Sequence, residues 1–234
     1  MSNNKKFWNT EYQNPQLVSR GTEPQADALR FIEWLQRDEI QDIHGKVVLD
    51  LGCGTGRNIL YMAEKFGCAG FGYDFAQSAI TLAENDRDAR QITSTQVQFA
   101  ERSIGAEFPI TDDSIDIILD VTSSNSLSAT ERNVYLQEAY RTLKPGGYMF
   151  VRTLSRDGDR NAQNLLSMFP GPDYDTYIHP DLGITERVFR EEDFRELYGL
   201  YFDITFLKKQ TGYQRRGSQS YKRRYLVAYM KKKS

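Results

Sequence analysis

Three glycines at alternate positions constrain this chain more than any other feature of its sequence. They occupy positions 52, 54 and 56, directly after the short, β-branched run Lys46–Leu51, which is apolar on both sides as a buried parallel strand requires. Glycine allows a ligand to lie against the main chain, and ligands of open α/β sheets bind at the carboxyl ends of the strands. The stretch therefore predicts a nucleotide or nucleoside site.

The rest of the chain alternates between helical and strand patterns. Helices are predicted over 24–38, 58–66, 77–85, 129–143, 162–168 and 191–200, and strands over 46–51, 70–73, 97–100, 114–121, 148–152, 202–207 and 221–230. Thr22 is the predicted N-cap of the first of these helices. The alternation favours an α/β fold with a mainly parallel sheet. The last two strands have only a glycine-containing basic loop between them, so they should pair antiparallel.

The residues around the glycines narrow the kind of nucleotide. No lysine follows them, as a phosphate-binding loop would require, and the dinucleotide pattern needs a glycine where Arg57 or Ile59 stands. The predicted strand 70–73 is followed by Asp74, whose carboxylate can accept both hydroxyls of an unphosphorylated ribose. Asp50 would repel a pyrophosphate but could order the turn or hold a cationic amine. A glycine-rich turn beside these carboxylates suits a zwitterionic, ribose-bearing cofactor without phosphates.

Four motifs between about residues 46 and 153 resemble those of the class I S-adenosylmethionine-dependent methyltransferases. Val48–Gly56 resembles their first motif, Gly72–Ile80 their acidic second motif, Pro109–Asp116 the approach to their fourth strand and Arg141–Gly147 the turn before their fifth strand. The resemblance implies a Rossmann-like α/β fold with helices on both faces of a seven-stranded, mainly parallel sheet. The implied strand order is 3-2-1-4-5-7-6, with strand 7 antiparallel.

The resemblance also implies a cofactor, S-adenosyl-L-methionine, whose product is S-adenosyl-L-homocysteine. Gly52, Gly54 and Gly56 would let the methionine part lie on the backbone, Asp50 would order the loop or meet the amino group through water, and Asp74 would take the ribose hydroxyls. The resemblance further implies contacts of Phe75 with the adenine, of Ser103 and Ile104 with the region of the adenine amine, of Asp120, Val121 and Thr122 with the methionine and sulfonium, and of Arg20 with the cofactor carboxylate. Cys53, Asn58 and Tyr12 are also expected to contact the cofactor.

Methyl transfer by in-line displacement needs alignment and exclusion of water, and an oxygen acceptor usually also needs a base. His179, in the loop-rich stretch 155–185, is the candidate catalytic base. The acceptor contacts are expected in that stretch and near the N-terminus. The segment 120–125 lacks the Asn/Asp-Pro-Pro-aromatic motif of enzymes that methylate amino groups of nucleic-acid bases. A small-molecule acceptor with an oxygen, nitrogen or sulfur nucleophile is therefore favoured.

Three alternatives remain open at this point. From Ile204 onward there are ten Lys or Arg and no Asp or Glu, against 20 basic and 32 acidic residues in the rest of the chain. An RNA or protein acceptor could therefore bind through a basic set comprising Arg215, Arg216, Lys222, Arg223 and Arg224. The chain could also be a cofactor-binding module without turnover. A nicotinamide-dependent dehydrogenase is disfavoured by Arg57 and Ile59.

The sequence predicts one methyltransferase domain over 1–234. Its parts are an N-terminal helical lid (1–45), a cofactor-binding core (46–153), an acceptor-side cap (154–200) and closing strands (201–234). Two cysteines and two histidines form no metal-binding pattern, and neither a leader nor a membrane-spanning run is apparent. We therefore expect a cytoplasmic protein with no metal and no membrane partner.

Overall fold

The computed structural model of the protein describes residues 3–17, 21–40, 42–216 and 219–233. The helices are α1 (Asn3–Gln13), α2 (Ala26–Trp34), α3 (Arg57–Phe66), α4 (Gln77–Ala89), α5 (Ala129–Thr142), α6 (Arg160–Met168) and α7 (Glu191–Tyr198). The strands are β1 (Val47–Leu51), β2 (Ala69–Asp74), β3 (Val97–Glu101), β4 (Ile115–Val121), β5 (Leu143–Leu154), β6 (Thr176–Ile178), β7 (Thr185–Arg187), β8 (Phe202–Arg216) and β9 (Gln219–Lys232).

Seven strands form one sheet in the order β3-β2-β1-β4-β5-β9-β8. The neighbours from β3 to β5 are parallel, and β9 runs antiparallel to both β5 and β8. This confirms the predicted Rossmann-like, mainly parallel fold class. The order differs in detail from the predicted numbering because two further short strands, β6 and β7, precede the last two and form a separate antiparallel sheet.

Helices cover both faces of the sheet, as predicted. Val48 packs in one apolar cluster with residues of α2 and α3, whereas the next residue, Leu49, packs in a second cluster with residues of α5 and α7. Side chains alternate between the faces of a strand, so a strand covered on both sides must be apolar throughout. This is why β1 and β4 are the most apolar strands of the chain.

The start of α2 differs from the prediction. The N-cap is Gln25 rather than Thr22, and its side-chain oxygen accepts hydrogen bonds from the backbone N–H groups of Asp27 (2.7 Å) and Ala28 (3.0 Å). The backbone N–H of Gln25 in turn donates to Asn58 Oδ1 at 2.9 Å. The tertiary contact to the first turn of α3 therefore selects this cap.

The predicted basic loop between the last two strands is wrong, because β8 and β9 continue through it. They pair from Phe202↔Lys232 to Arg216↔Gln219, whereas the pairing of β5 with β9 stops at Leu154↔Tyr225. The end of this hairpin therefore extends past the carboxyl ends of the parallel strands. Tyr213 and Tyr225 of this hairpin line the same cavity as the glycine-rich turn.

Lys209, Arg223 and Lys232, three of the basic residues near the C-terminus, have acidic partners within the chain. Lys209 Nζ lies 3.2 Å from Asp157, and Lys232 Nζ lies 2.6 Å from Asp113. Arg223, one of the residues considered for an RNA or protein acceptor, is 3% exposed. Part of the C-terminal positive charge thus neutralises the acidic body of the protein. No helix within the described residues is both long enough and apolar enough to span a membrane.

Candidate active site

A cavity of about 1360 Å³ opens at the carboxyl ends of the central strands, where the sequence predicted a ligand site. It is bordered by the glycine-rich turn, the ends of β2, β4 and β5, helix α1, the β6–β7 sheet and the extended β8–β9 hairpin. The predicted cofactor residues that line it are Tyr12, Gly52, Cys53, Gly54, Asn58, Asp74, Phe75, Ser103, Ile104, Val121 and Thr122. Asp50, Gly56, Asp120 and His179 are not among the lining residues, and Arg20 lies outside the described residues.

The first two glycines of the turn have no room for a side chain. Both have positive φ, +71° at Gly52 and +56° at Gly54. A Cβ on Gly52 would lie 2.1 Å from the Ser123 hydroxyl, and one on Gly54 would lie 2.7 Å from the Tyr12 hydroxyl. The main chain of the turn is therefore open to the cavity only because these positions are glycine.

Gly56 does not line the cavity, so its predicted cofactor contact stays a prediction, whereas its structural role is clear. It is the N-cap of α3, with φ of +75°, and a Cβ there would lie 2.6 Å from the ring of Phe99 on β3. The third glycine therefore allows α3 to pack closely over the sheet. Its position behind the turn explains why it does not border the cavity.

Asp74 ties the glycine-rich turn to the end of β2. Its Oδ2 accepts a hydrogen bond from the N–H of Gly54 at 3.0 Å, and its Oδ1 accepts one from the N–H of Ala76 at 2.9 Å. The side chain is 5% exposed, and burial raises its pKa to about 6 against the effect of these backbone donors. A carboxylate has about four lone-pair sites, so Asp74 can also accept hydrogen bonds from ligand hydroxyls.

Asp50 lies beneath the turn with one oxygen unused. It is 1% exposed, and its Oδ2 has no hydrogen-bond partner among the described residues. Burial raises its pKa to about 7, opposed by the N–H of Ile59 and the charge of Arg57. A buried carboxylate oxygen without a partner is costly, and a cationic amino group, directly or through water, would supply one. The site therefore fits the zwitterionic, ribose-bearing cofactor inferred from the sequence.

Asp120 does not line the cavity, so the structure lends no support to its predicted contact with the cofactor, which stays a prediction. Asp120 is fully buried, accepts a hydrogen bond from the Tyr135 hydroxyl at 2.7 Å and accepts another from the N–H of Ser123 at 3.0 Å. Its side chain points toward α5 because alternation along β4 directs the neighbouring Val121 to the other face of the sheet. Asp120 thus holds the turn after β4 from behind.

Thr122, just after β4, has an unusual backbone conformation for a β-branched residue, with φ of +64°. Its N–H donates to the carbonyl of Arg152 at 2.7 Å, and Arg152 Nη1 donates to its hydroxyl at 2.8 Å. Strained residues of this kind cluster at functional sites. The strain here lies at the point where β4 opens into the cavity.

Arg152 was missed in the sequence analysis as a residue of the site. Its Nε donates to Asp27 Oδ2 at 3.0 Å, and its guanidinium lies over the ring of Tyr225 with its carbon 3.5 Å from the ring centroid. Its position at the carboxyl end of the predicted fifth strand could have indicated that Arg152 borders the ligand site. Tyr225 carried no such signal, because it reaches the cavity only through its pairing with Leu154 of β5 and Gln210 of β8.

Helix α1 covers the open side of the cavity. The Asn4 amide nitrogen donates to the carbonyls of Ser126 and Thr185, each at 3.3 Å, and the N–H of Thr185 donates to Asn4 Oδ1 at 3.0 Å. The helix therefore connects the turn after β4 with strand β7. Trp8 and Tyr12 of this helix line the cavity.

His179 lies away from the main cavity, in contrast to its predicted catalytic position. It borders a separate cavity of about 220 Å³, and its Nδ1 accepts a hydrogen bond from the N–H of Asp181 at 3.3 Å. The geometry therefore lends no support to its catalytic role, which stays a prediction. Of the nearby tyrosines, Tyr177 is fully buried and Tyr174 is 59% exposed.

Comparisons with known proteins agree with this arrangement. A family model described as a methyltransferase domain matches residues 43–176. A 2-heptyl-1-hydroxyquinolin-4(1H)-one methyltransferase from Mycobacteroides abscessus is 33% identical over 129 residues, which are 55% of this chain and 52% of that protein. A ubiquinone biosynthesis O-methyltransferase from Pseudomonas entomophila is 27% identical over 67% of this chain and 68% of its own length.

Among solved structures, a 1,6-didemethyltoxoflavin-N1-methyltransferase from Burkholderia thailandensis has a TM-score of 0.67 at 17% identity. The match covers 99% of this chain and 88% of that one, and shows a shared fold. This chain spans about half the length of the first relative named above. Because the family model matches more than half of the chain, in the segment that carries the glycine-rich turn, the chain belongs to the class I S-adenosylmethionine-dependent methyltransferases.

Proposed function

We propose that this protein transfers a methyl group from S-adenosyl-L-methionine to a small-molecule acceptor and releases S-adenosyl-L-homocysteine. The observation that best supports this proposal is the buried pair of carboxylates around the glycine-rich turn. Asp74 lines the cavity, and Asp50 lies beneath the turn with one oxygen that has no hydrogen-bond partner among the described residues. This pair suits a ligand with ribose hydroxyls and a cationic amine. It does not suit a pyrophosphate.

Each part of the proposed cofactor has candidate contacts. Asp74 binds the ribose hydroxyls, Phe75 packs on the adenine, and the main chain at Gly52 and Gly54 receives the methionine part. Asp50 meets the amino group through water. Ser103 and Ile104 border the adenine end, and Val121 and Thr122 border the methionine end; all four line the cavity.

The cofactor supplies a methyl group that is activated by a positively charged sulfur. The protein's contribution is to align the acceptor with that group and to exclude water. Helix α1 and the β6–β7 sheet close over the cavity through Asn4 and Thr185. In this proposal the chain is one domain, with residues 1–45 as the lid and 154–200 as the acceptor-side cap.

The acceptor is proposed to be small because helix α1 and the β6–β7 sheet cover part of the cavity and because some of the basic C-terminal residues are paired within the fold. Ligand cavities typically measure about 300–1,000 Å³, so about 1360 Å³ leaves room for a cofactor and an acceptor. By their names, the three relatives described above are a methyltransferase of 2-heptyl-1-hydroxyquinolin-4(1H)-one, an O-methyltransferase of ubiquinone biosynthesis and an N1-methyltransferase of 1,6-didemethyltoxoflavin. A cytoplasmic location accords with Cys53 and Cys68, which are both buried and unpaired.

Calorimetric titration with S-adenosylmethionine, S-adenosylhomocysteine and NAD tests the cofactor, with Asp74→Ala alongside. We expect both adenosyl ligands to bind the wild type and to lose at least about 100-fold in affinity in the variant, since hydrogen bonds to charged groups contribute about 1.5–3 kcal/mol each. Exposed Glu107→Ala is the control. Binding of NAD without either adenosyl ligand would overturn the proposal.

A further inference from the structure

We propose that Glu186 binds the attacking hydroxyl of an uncharged aryl-hydroxyl acceptor and takes up its proton during methyl transfer. This inference rests on the function proposed above. Glu186 lies on β7 of the cap and borders both the main cavity and the smaller one beside it. Neither the sequence motifs nor the cofactor contacts give this carboxylate a role.

The Glu186 carboxylate is anchored on one side only. The Tyr177 hydroxyl donates to Glu186 Oε2 at 2.7 Å, and Arg223 Nη2 donates to the Tyr177 hydroxyl at 2.9 Å. Tyr177 is fully buried and Arg223 is 3% exposed. Within the described part of the chain, Glu186 Oε1 has no hydrogen-bond donor, so it is available to a ligand in the cavity.

Burial preserves this geometry. It raises the pKa of Tyr177 well above its ordinary value, as does the nearby charge of Glu186. The Tyr177 hydroxyl therefore keeps its proton and remains a donor to the carboxylate. A buried support of this kind restricts the side chain to one orientation, as accurate positioning of an acceptor requires.

The charges around Glu186 favour an uncharged acceptor. Arg223 is shared with Asp159, whose Oδ2 lies 3.6 Å from Arg223 Nε, so the group of two carboxylates and one guanidinium has a net charge of −1. Arg152 lines the same cavity and shares Asp27 with Arg30, with its Nε 3.0 Å from Asp27 Oδ2, so this second group has a net charge of +1. Next to Glu186 an anionic acceptor would meet the negative charge of the first group, whereas a hydroxyl can donate a hydrogen bond to Oε1.

The neighbouring surfaces favour an aromatic acceptor close to the end of β4. Asn4 links the carbonyl of Ser126, in the turn after β4, to the carbonyl of Thr185, the residue before Glu186. Trp8 and Tyr225 line the same cavity. Aromatic side chains stack well on planar rings, so an aryl group fits between these elements with its hydroxyl toward Glu186.

The proposed step balances without any further reagent. A lone pair of the acceptor oxygen forms the bond to the methyl carbon, the bond from that carbon to sulfur breaks, and its electron pair remains on sulfur. The hydroxyl proton passes to Glu186 Oε1 and then to water. A positioned general base of this kind typically contributes about 10²–10⁴-fold.

The test measures transfer of tritiated methyl groups from S-adenosylmethionine to two probes, phenol and 4-nitrophenol, at about pH 8.5, where phenol is still protonated. Phenol has a pKa of about 10, like tyrosine, and needs a base, whereas 4-nitrophenol is largely ionised. For Glu186→Gln we expect a loss of about 100-fold in kcat/KM with phenol and a clearly smaller loss with 4-nitrophenol. Glu192→Gln, with a side chain 76% exposed, is the matched control.

A second variant separates positioning from folding. Tyr177→Phe keeps the ring but removes the donor to Glu186, so we expect lower kcat with phenol at an unchanged affinity for S-adenosylhomocysteine. Equal losses with both probes in Glu186→Gln would overturn the role of the base. Failure of the wild type to methylate either probe while it binds S-adenosylhomocysteine would overturn the acceptor class alone. Loss of that binding in the wild type would instead overturn the proposed function.

Discussion

Replacing Asp50 with Asn tests whether a buried, partly unpaired carboxylate under the glycine-rich turn is tuned for a cationic ligand. Asp50 is 1% exposed and its pKa is raised by burial from 3.8 to about 7. The folded protein therefore binds a proton at Asp50 between these values, whereas the unfolded chain does not. Stability must fall as the pH rises from about 4 to about 7, and this contribution is constant above that range.

The size of the effect follows from the shift. Between pH 5 and pH 8 the wild type should lose about 3 kcal/mol of unfolding free energy through Asp50, at 1.36 kcal/mol per pKa unit. Asp50→Asn keeps the shape of the side chain but cannot ionise. Its stability should match that of the wild type near pH 5, where Asp50 is protonated, and exceed it at pH 8.

Urea unfolding of both proteins at pH 5 and pH 8, without ligand, measures this difference. Comparison of the two proteins cancels the contributions of the other buried carboxylates. Calorimetry supplies the second readout: affinity for S-adenosylhomocysteine should rise up to about 100-fold from pH 5 to pH 8 through Asp50 in the wild type, but not in the variant. If both proteins showed the same pH dependence in both measurements, the reasoning about Asp50 would be refuted.

Three further predictions concern single positions. Asp74→Asn should weaken S-adenosylhomocysteine binding by at least about 10-fold at pH 8 and by less at pH 5, as calorimetry at both pH values can measure. The reason is that Asp74 has a pKa of about 6, so at pH 5 the wild-type side chain is itself largely protonated. Gly56→Ala should lower the unfolding free energy by several kcal/mol, because its Cβ would lie 2.6 Å from the Phe99 ring. Gly67→Ala, where φ is +62° and the space around the Cβ is open, should lower it by only about 1 kcal/mol, and urea unfolding compares the two variants. His179→Ala should leave methyl transfer to phenol within about twofold of wild type, because His179 borders the smaller cavity; a loss of 10² or more would restore it as the base.

The sequence allowed accurate prediction of features that depend on nearest neighbours along the chain. Strand β1 was predicted over 46–51 and occurs at Val47–Leu51, and the helix predicted over 129–143 occurs as α5, Ala129–Thr142. The apolar runs and the Pro-Gly stop signal after α5 are local. The end of the last hairpin was missed because basic, glycine-containing segments resemble loops, and only the partner strand makes them β-structure.

The same division applies to the site. Gly52, Gly54 and Asp74 could be named from the sequence because a turn with positive φ and an acid at the end of the next strand are features of local chemistry. The direction of Asp120 could not, since it depends on which face of β4 meets α5. Neighbours along a strand point to opposite faces, so the identity of a residue does not reveal the side on which it acts.

The sequence by itself determined the fold class, the cofactor-binding turn and the family, because these are encoded in contiguous motifs whose spacing follows the geometry of one strand, one turn and one helix. Only the tertiary structure decided the acceptor side. Arg152, Glu186 and Tyr225 lie far apart in the chain and border one cavity only after β5, β7 and β9 have packed. The physical reason is that side chains from separate elements acquire common surroundings through long-range pairing, which no local pattern records.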